Sequence, residues 1–169
     1  MASDPLRVLL HVAGLLDEIG VPYLVGGSMA SSMLGEPRST VDIDLAVQLR
    51  GADVGRLVSA LRPEFYVDEE VARRAVERRA SFNAIHQPTV LKVDFFVLGD
   101  APFDRAQLER RRLSPVLEGD EQRVFISSAE DLILRKLDWY RLGGGVSDRQ
   151  WRDVLGILKV QAGRLELPY

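Results

Sequence analysis

The chain has 169 residues, 46% of them hydrophobic and 28% charged, which fits one compact domain, or a domain with a short helical appendage, and excludes a disordered chain. It has no cysteine and only His11 and His86, so disulfides, thiolate zinc sites, iron–sulfur clusters, cysteine nucleophiles and multi-histidine metal centres are excluded. The net charge of −3 gives no global basic signal for nucleic acid, no apolar run approaches the roughly 20 residues of a membrane helix, and Met1-Ala2-Ser3-Asp4-Pro5 has no leader character, so a cytoplasmic location is expected.

Asp4-Pro5 is a helix start, because Asp accepts from free N–H groups and Pro suits the first helical position. Leu6, Leu9, Leu10, Ala13 and Leu16 repeat on one face before Gly20 ends the helix. Val21–Val25 reads as a strand running into Gly26-Gly27-Ser28, with a short helix over 29–34. Val41–Leu49 alternates with period two: Val41, Ile43, Leu45, Val47 and Leu49 on one face, Asp42, Asp44, Ala46 and Gln48 on the other. A helix over 53–61, a strand over 65–67 and a charged helix over 69–79 follow. Strands over 81–86 and 90–98 pair around Gln87-Pro88, the second carrying Lys92 and Asp94 on one face. A basic helical segment spans 103–112, and two more strands flank Gly119-Asp120. From Ser127 the texture is helical: Ser127 with Glu130 and Ser147 with Gln150 have capping-box spacing, and Trp151, Val154, Leu155 and Leu158 form an apolar stripe. The expected class is α+β, a mixed twisted sheet flanked by helices, divided into a catalytic core over 1–126 and a helical extension over 127–169 joined through Gly143-Gly144-Gly145.

Three acids resist explanation by folding alone. Asp is disfavoured in strands, yet Asp42, Asp44 and Asp94 interrupt apolar runs, a local cost that points to a site. Side chains two apart on a strand share a face roughly 6.5 Å apart, so Asp42 and Asp44 are candidates to hold one or two Mg²⁺ ions, with Asp94 completing the set from a neighbouring strand. Without that set Gly26-Gly27-Ser28 would read as an ordinary tight turn. It stands fourteen to sixteen residues before Asp42, with Arg38 and Thr40 between, and glycines at a helix start let backbone N–H groups approach a phosphate.

The stretch Leu24-Val25-Gly26-Gly27-Ser28-Met29-Ala30, followed by Arg38-Ser39-Thr40-Val41-Asp42-Ile43-Asp44-Leu45, resembles the signature of the DNA polymerase beta-type nucleotidyltransferase superfamily. The closer resemblance is to its bacterial AbiEii-like branch, through Lys92-Val93-Asp94, Glu130-Asp131-Leu132 with Lys136-Leu137, and Arg152-Asp153. The resemblance covers about residues 6 to 160. It implies the nucleotidyltransferase fold and Mg²⁺-dependent transfer of a nucleoside monophosphate from an NTP to a hydroxyl, with two ions on Asp42, Asp44 and Asp94. It also implies phosphate contacts from Gly26, Gly27 and Ser28, with Arg38, Thr40, Lys92 and Lys136 as further nucleotide-binding candidates. The acceptor is RNA, a protein or a small molecule such as an aminoglycoside-like alcohol. Some members of the branch are toxins, so a toxin–antitoxin role with a cognate protein partner, a homodimer, and a non-catalytic interaction role stand beside the enzyme.

Each candidate has a plainer reading. Arg38 can pair with Glu36 or another surface acid, Lys136 can be a solvated helical residue, and Asp153 can pair with Arg149 at i and i+4. Trp139, Tyr140 and Trp151 can stack on a base, but on a two-helix extension they are expected to anchor packing. Arg73, Arg74, Arg78 and Arg79, and Arg105 with Arg110, Arg111 and Arg112, read as solvated helix faces, or as an RNA-binding rim if they line one side of the site.

Overall fold

Alternating apolar residues build one mixed seven-stranded sheet in the computed structural model, which describes residues 4–117, 119 and 121–166. Met1–Ser3, at the start of the expected leaderless N-terminus, and Asp120 of the expected turn lie outside the described residues. In chain order the elements are α1 (Asp4–Ile19), β1 (Tyr23–Val25), α2 (Gly27–Leu34), β2 (Ile43–Val47), α3 (Gly51–Leu61), β3 (Phe65–Tyr66) and α4 (Glu69–Arg78). Then follow β4 (Ser81–His86), β5 (Leu91–Val97), α5 (Pro102–Arg110), β6 (Arg112–Pro115), β7 (Arg123–Ile126), α6 (Ala129–Leu142) and α7 (Asp148–Val160).

The strand order is β3-β4-β5-β2-β1-β7-β6. β2 lies parallel to β5 and antiparallel to β1, so Asp44 is the register partner of Asp94, and Ala46 of Phe96. Ile43, Leu45, Val47, Val93 and Phe95 turn to the other face and are buried, joining a core with Leu9, Val12 and Leu16 of α1 and Leu57, Val58 and Leu61 of α3. The helices α2, α6 and α7 pack on one another over the acidic face. Burying the apolar stripes supplies the main driving force, and the polar residues of β2 and β5 are left looking into the gap beneath α6. Among the described residues no helix is long and apolar enough to cross a membrane.

Three local expectations change. β2 is shorter than the period-two pattern, leaving Asp42 just ahead of the strand and Val41 exposed. α6 is capped by Ser128 rather than Ser127, with the Ser128 Oγ accepting from the Asp131 N–H at 3.2 Å. Ser127 is still held by the sheet, its N–H donating to the Val25 carbonyl at 3.1 Å, so the helix starts one residue later.

The largest correction concerns α7. Its apolar stripe points inward only at Val154, which is buried: Trp151, Leu155 and Leu158 are 45%, 48% and 41% exposed, and Asp153, Gly156 and Ile157 are buried in their place. A tight backbone contact sets this roll. A Cβ on Gly35 would come within 2.9 Å of the Ile157 backbone nitrogen, and one on Gly156 within 3.3 Å of the Glu36 nitrogen. Glycine at both positions seats α7 against the end of α2 and turns Gln150 and Asp153 toward the sheet.

Candidate active site

The chain turns from β1 into α2 through Gly26, whose N–H donates to the Asp44 carbonyl at 2.9 Å. Gly27 follows with φ +58°, and a Cβ there would lie 1.9 Å from Asp44 Oδ2. Only glycine allows both the left-handed backbone and the close approach of the carboxylate. Ser28 thus stands in the first turn of α2, where free N–H groups and the helix dipole favour an anion. Its Oγ accepts from Arg38 Nη2 at 2.7 Å and from Arg149 Nη2 at 3.0 Å.

Asp44 and Asp94 are adjacent across the β2–β5 ladder, and Asp42 approaches from the chain leading into β2. Burial, followed by the charges of Asp94 and Asp42, pushes the Asp44 carboxyl above the usual carboxylate range. Lys92 Nζ lies 2.7 Å from Asp94 Oδ2, and that hydrogen bond raises the ammonium's pKa. Arg149 Nη2 lies 3.4 Å from Asp42 Oδ2, and Thr40 Oγ1 accepts from the Asp42 N–H at 3.3 Å.

On the opposite wall two cations share one acid. Asp153 accepts from Arg38 Nε and Nη2 at 2.9 and 3.0 Å and from Lys136 Nζ at 2.8 Å. Lys136 Nζ also donates to Gln150 Oε1 at 3.1 Å. Burial lowers the Lys136 pKa, and Asp153 opposes that shift. The side chains of Lys136 and Asp153 are only 5% and 6% exposed, so the pair is desolvated. With Arg38 and Lys136 on the Asp153 carboxylate and Arg149 beside Ser28, this wall keeps a net positive charge facing the acids of β2 and β5.

Every nucleotide-binding or metal candidate named from sequence therefore falls on one of two walls. Gly26, Gly27, Asp42, Asp44, Asp94, Lys92 and Thr40 belong to the sheet side; Ser28, Arg38 and Lys136 belong to the cationic side. Two pairings differ from expectation: Arg38 takes Asp153 rather than Glu36, which binds Lys159, and Asp153 takes Arg38 and Lys136 rather than Arg149. The basic clusters do not form one free rim. Arg73 pairs with Glu69, Arg110 with Asp131, and Arg111 lies 4.4 Å over the Phe125 ring. Arg149 and Gln150 belong to no site motif; their one sequence signal is their place in the first turn after the Ser147 cap.

The donor set suits a hard divalent cation. Asp44 sits among like charges that a cation would relieve, and Mg²⁺ typically takes one or two carboxylates and fills its shell with water and phosphate. As they stand, Asp94 is engaged by Lys92 and Asp42 by Arg149, and among the described residues no three His, Cys, Asp or Glu side chains converge on one point. The cation would be held by Asp44 with Asp42 or Asp94, not by a closed protein cage.

No family's sequence profile matches the chain, and no curated protein matches it. Solved structures do. An antigenic nucleotidyltransferase-like protein from Paracoccidioides brasiliensis aligns at a TM-score of 0.60 and 18% identity over 95% of this chain and 77% of that one. The antibiotic-resistance factor ANT(2'')-Ia aligns at 0.62 and 18% over 94% and 85%, and the lincosamide antibiotic adenylyltransferase LnuA at 0.55 and 13% over 95% and 98%. The chain has the nucleotidyltransferase fold.

Proposed function

We propose that the protein transfers a nucleoside monophosphate from an NTP to a hydroxyl acceptor, with Mg²⁺ held by Asp44 together with Asp42 or Asp94. The observation that carries this reading is the pair of opposed walls: carboxylates on β2 and β5 facing Ser28, Arg38, Arg149 and Lys136 across the start of α2. A polyphosphate bearing a divalent cation is complementary to both walls at once. Two of the similar structures are an antibiotic-resistance factor and an antibiotic adenylyltransferase, which supports nucleotidyl transfer as the class of reaction.

In this reading Gly27 and Ser28 bind the distal phosphates at the α2 N-terminus. Arg38 and Lys136, oriented by Asp153, offset their charge, and Arg149 exchanges Asp42 for phosphate oxygen. Asp94 accepts the proton of the attacking hydroxyl, a role open to it once Lys92 turns from Asp94 to phosphate. The acceptor oxygen bonds to the α-phosphorus as the bond to the bridging oxygen breaks, and pyrophosphate leaves with the electron pair. The bound cation supplies charge stabilisation to the attacking and leaving oxygens. The remaining work is positioning and electrostatics by side chains fixed before substrate arrives.

Lys92-Val93-Asp94, Glu130-Asp131-Leu132 and Lys136-Leu137 support placement in the AbiEii-like branch, and with it a toxin–antitoxin role. Calorimetric titration with each NTP and Mg²⁺ tests the nucleotide half, and the expected result is binding that disappears in an Asp42→Ala/Asp44→Ala double variant. Labelled NTP incubated with total RNA, proteins and small alcohols identifies the acceptor. No NTP binding by the folded protein, or binding untouched in the double variant, would sink the proposal.

A further inference from the structure

We propose that the outward stripe of α7 docks an amphipathic helix of another protein, one with an apolar stripe of its own bordered by acidic residues. The proposal stands apart from the nucleotidyl-transfer reading, because Trp151, Leu155 and Leu158 line no part of the cleft.

The helix is held with its more apolar side out. Asp153 on Arg38 and Lys136, and the seat of Gly156 against the Glu36 backbone, fix the inner face. Trp151, Leu155 and Leu158, spaced i, i+4 and i+7, are therefore left facing water along two turns. Apolar surface held in water is unfavourable, and nothing in the inner contacts requires leucine at the outer positions. The surface helix α4 shows the ordinary solution, with Glu70, Arg73, Arg74, Glu77 and Arg78 on its exposed side. Tyr140 of α6 widens the apolar surface, its ring 5.6 Å from that of Trp151. Tryptophan, tyrosine and arginine are the residues that most often carry interface energy, and here Trp151 and Tyr140 adjoin Arg152.

Charge and area select the occupant. Arg152 and Lys159 each follow a stripe residue by one position, about 100° round the helix, and so border the stripe along one side. Lys159 is held by Glu36 at 2.6 Å, whereas the Arg152 side chain makes no hydrogen bond or ion pair among the described residues. The exposed acid of α7, Asp148, stands ahead of the stripe in the first turn. A second copy of the chain in antiparallel pairing would set Arg152 against the other copy's Lys159, like charge on like. The exposed area of the stripe is on the order of 300 Å², well under the roughly 800 Å² that each partner of a stable dimer buries. A single helix with acidic residues beside its apolar ones meets both conditions. Its stripe lies on Trp151, Leu155 and Leu158 at matching spacing, and its carboxylates reach Arg152.

The test titrates the full chain carrying Trp139→Phe, in which Trp151 is the sole tryptophan, with two synthetic helical peptides of about 18 residues. Both carry leucine at i, i+4, i+7 and i+11, with alanine and glutamate elsewhere in one and alanine and lysine elsewhere in the other. The glutamate peptide should shift Trp151 emission to the blue and saturate. The lysine peptide should bind at least about tenfold more weakly, a gap that narrows as salt is added. Leu155→Ser, at a half-exposed position, should weaken the glutamate peptide about tenfold, and Arg152→Glu should reverse the preference between the peptides. If Leu155→Ser does not fold, the reversal at Arg152 decides the point. No shift with either peptide, equal affinity for both, or binding untouched by Arg152→Glu overturns the proposal. Sedimentation that finds a dimer of the parent chain, dissociated by Leu155→Ser, also overturns it and gives the face to a second copy. A blue shift with phosphatidylglycerol vesicles but with neither peptide overturns it in favour of a lipid surface.

Discussion

Replacing Asp153 by Asn keeps the side chain's shape and removes the negative charge between Arg38 and Lys136. Arg38, with a side chain 30% exposed, can turn its guanidinium toward water, but the Lys136 side chain is 5% exposed and cannot. The cost is therefore that of one stranded buried ammonium. Breaking a buried pair by removing one partner costs about 3–5 kcal/mol, and because Asn still offers an acceptor oxygen the expected loss is about 3 kcal/mol. For a chain of this size that is a fall of about 6–12 °C in Tm, readable by urea denaturation and thermal melting. Burial alone would raise the Asp153 carboxyl, but its hydrogen bonds to Arg38 and Lys136 outweigh it and hold the group below the usual carboxylate range. A depressed folded pKa contributes stability that is present above the unfolded value of 3.8 and lost as the pH falls through the lower folded value. The gap between parent and variant should thus hold through neutral pH and close in acid. It should also narrow in alkali, as Lys136, held below its ordinary range by burial, gives up its proton. A loss under about 1 kcal/mol, or one that Lys136→Met in the same chain fails to reduce, would refute a desolvated network.

Asp44→Asn should stabilise the metal-free protein at neutral pH by about 1 kcal/mol while abolishing Mg²⁺-dependent nucleotide binding, the usual trade at a site built of like charges. The sign follows from its raised folded pKa, whose contribution is present below 3.8 and lost as the pH rises through the folded value; a denaturation series against pH checks it. Gly27→Ala sets a methyl carbon on the Asp44 carboxylate at a positive φ and should lose at least about 1 kcal/mol together with nucleotide affinity, measured by melting and calorimetry. Ser128→Ala removes the acceptor of the Asp131 N–H and should cost about 1 kcal/mol, whereas Ser127→Ala should leave the α6 cap intact.

Short-range order was the legible part. The period-two run around Asp42 and Asp44, and Lys92 with Asp94 in a second such run, placed the acids on one sheet face, because side-chain alternation in a strand is local geometry. The Gly26-Gly27 turn was legible for the same reason. The Arg38–Asp153 pair was not: its partners are 115 residues apart, and a nearer acid, Glu36, offered a simpler match. The roll of α7 misled for a physical reason. Trp151, Val154, Leu155 and Leu158 make the more apolar stripe, but the ion pairs at Asp153 and the Gly35–Gly156 contact roll the helix so that only Val154 of the four is buried.

The cationic wall joins two distant stretches of the chain, Ser28 and Arg38 from its first quarter and Lys136 and Asp153 from α6 and α7. Local hairpins such as β4–β5 close over a few residues, whereas a clasp spanning 115 residues must await a much larger loop closure. The clasp is thus expected to close after the local hairpins, with α7 as the latch of the cleft. Local unfolding of that one helix would leave the sheet intact and its carboxylates in register, yet release Arg38 and Lys136 together. Competence for phosphate is then governed by a subglobal opening, which hydrogen exchange at the α7 amides would report separately from the opening of the sheet.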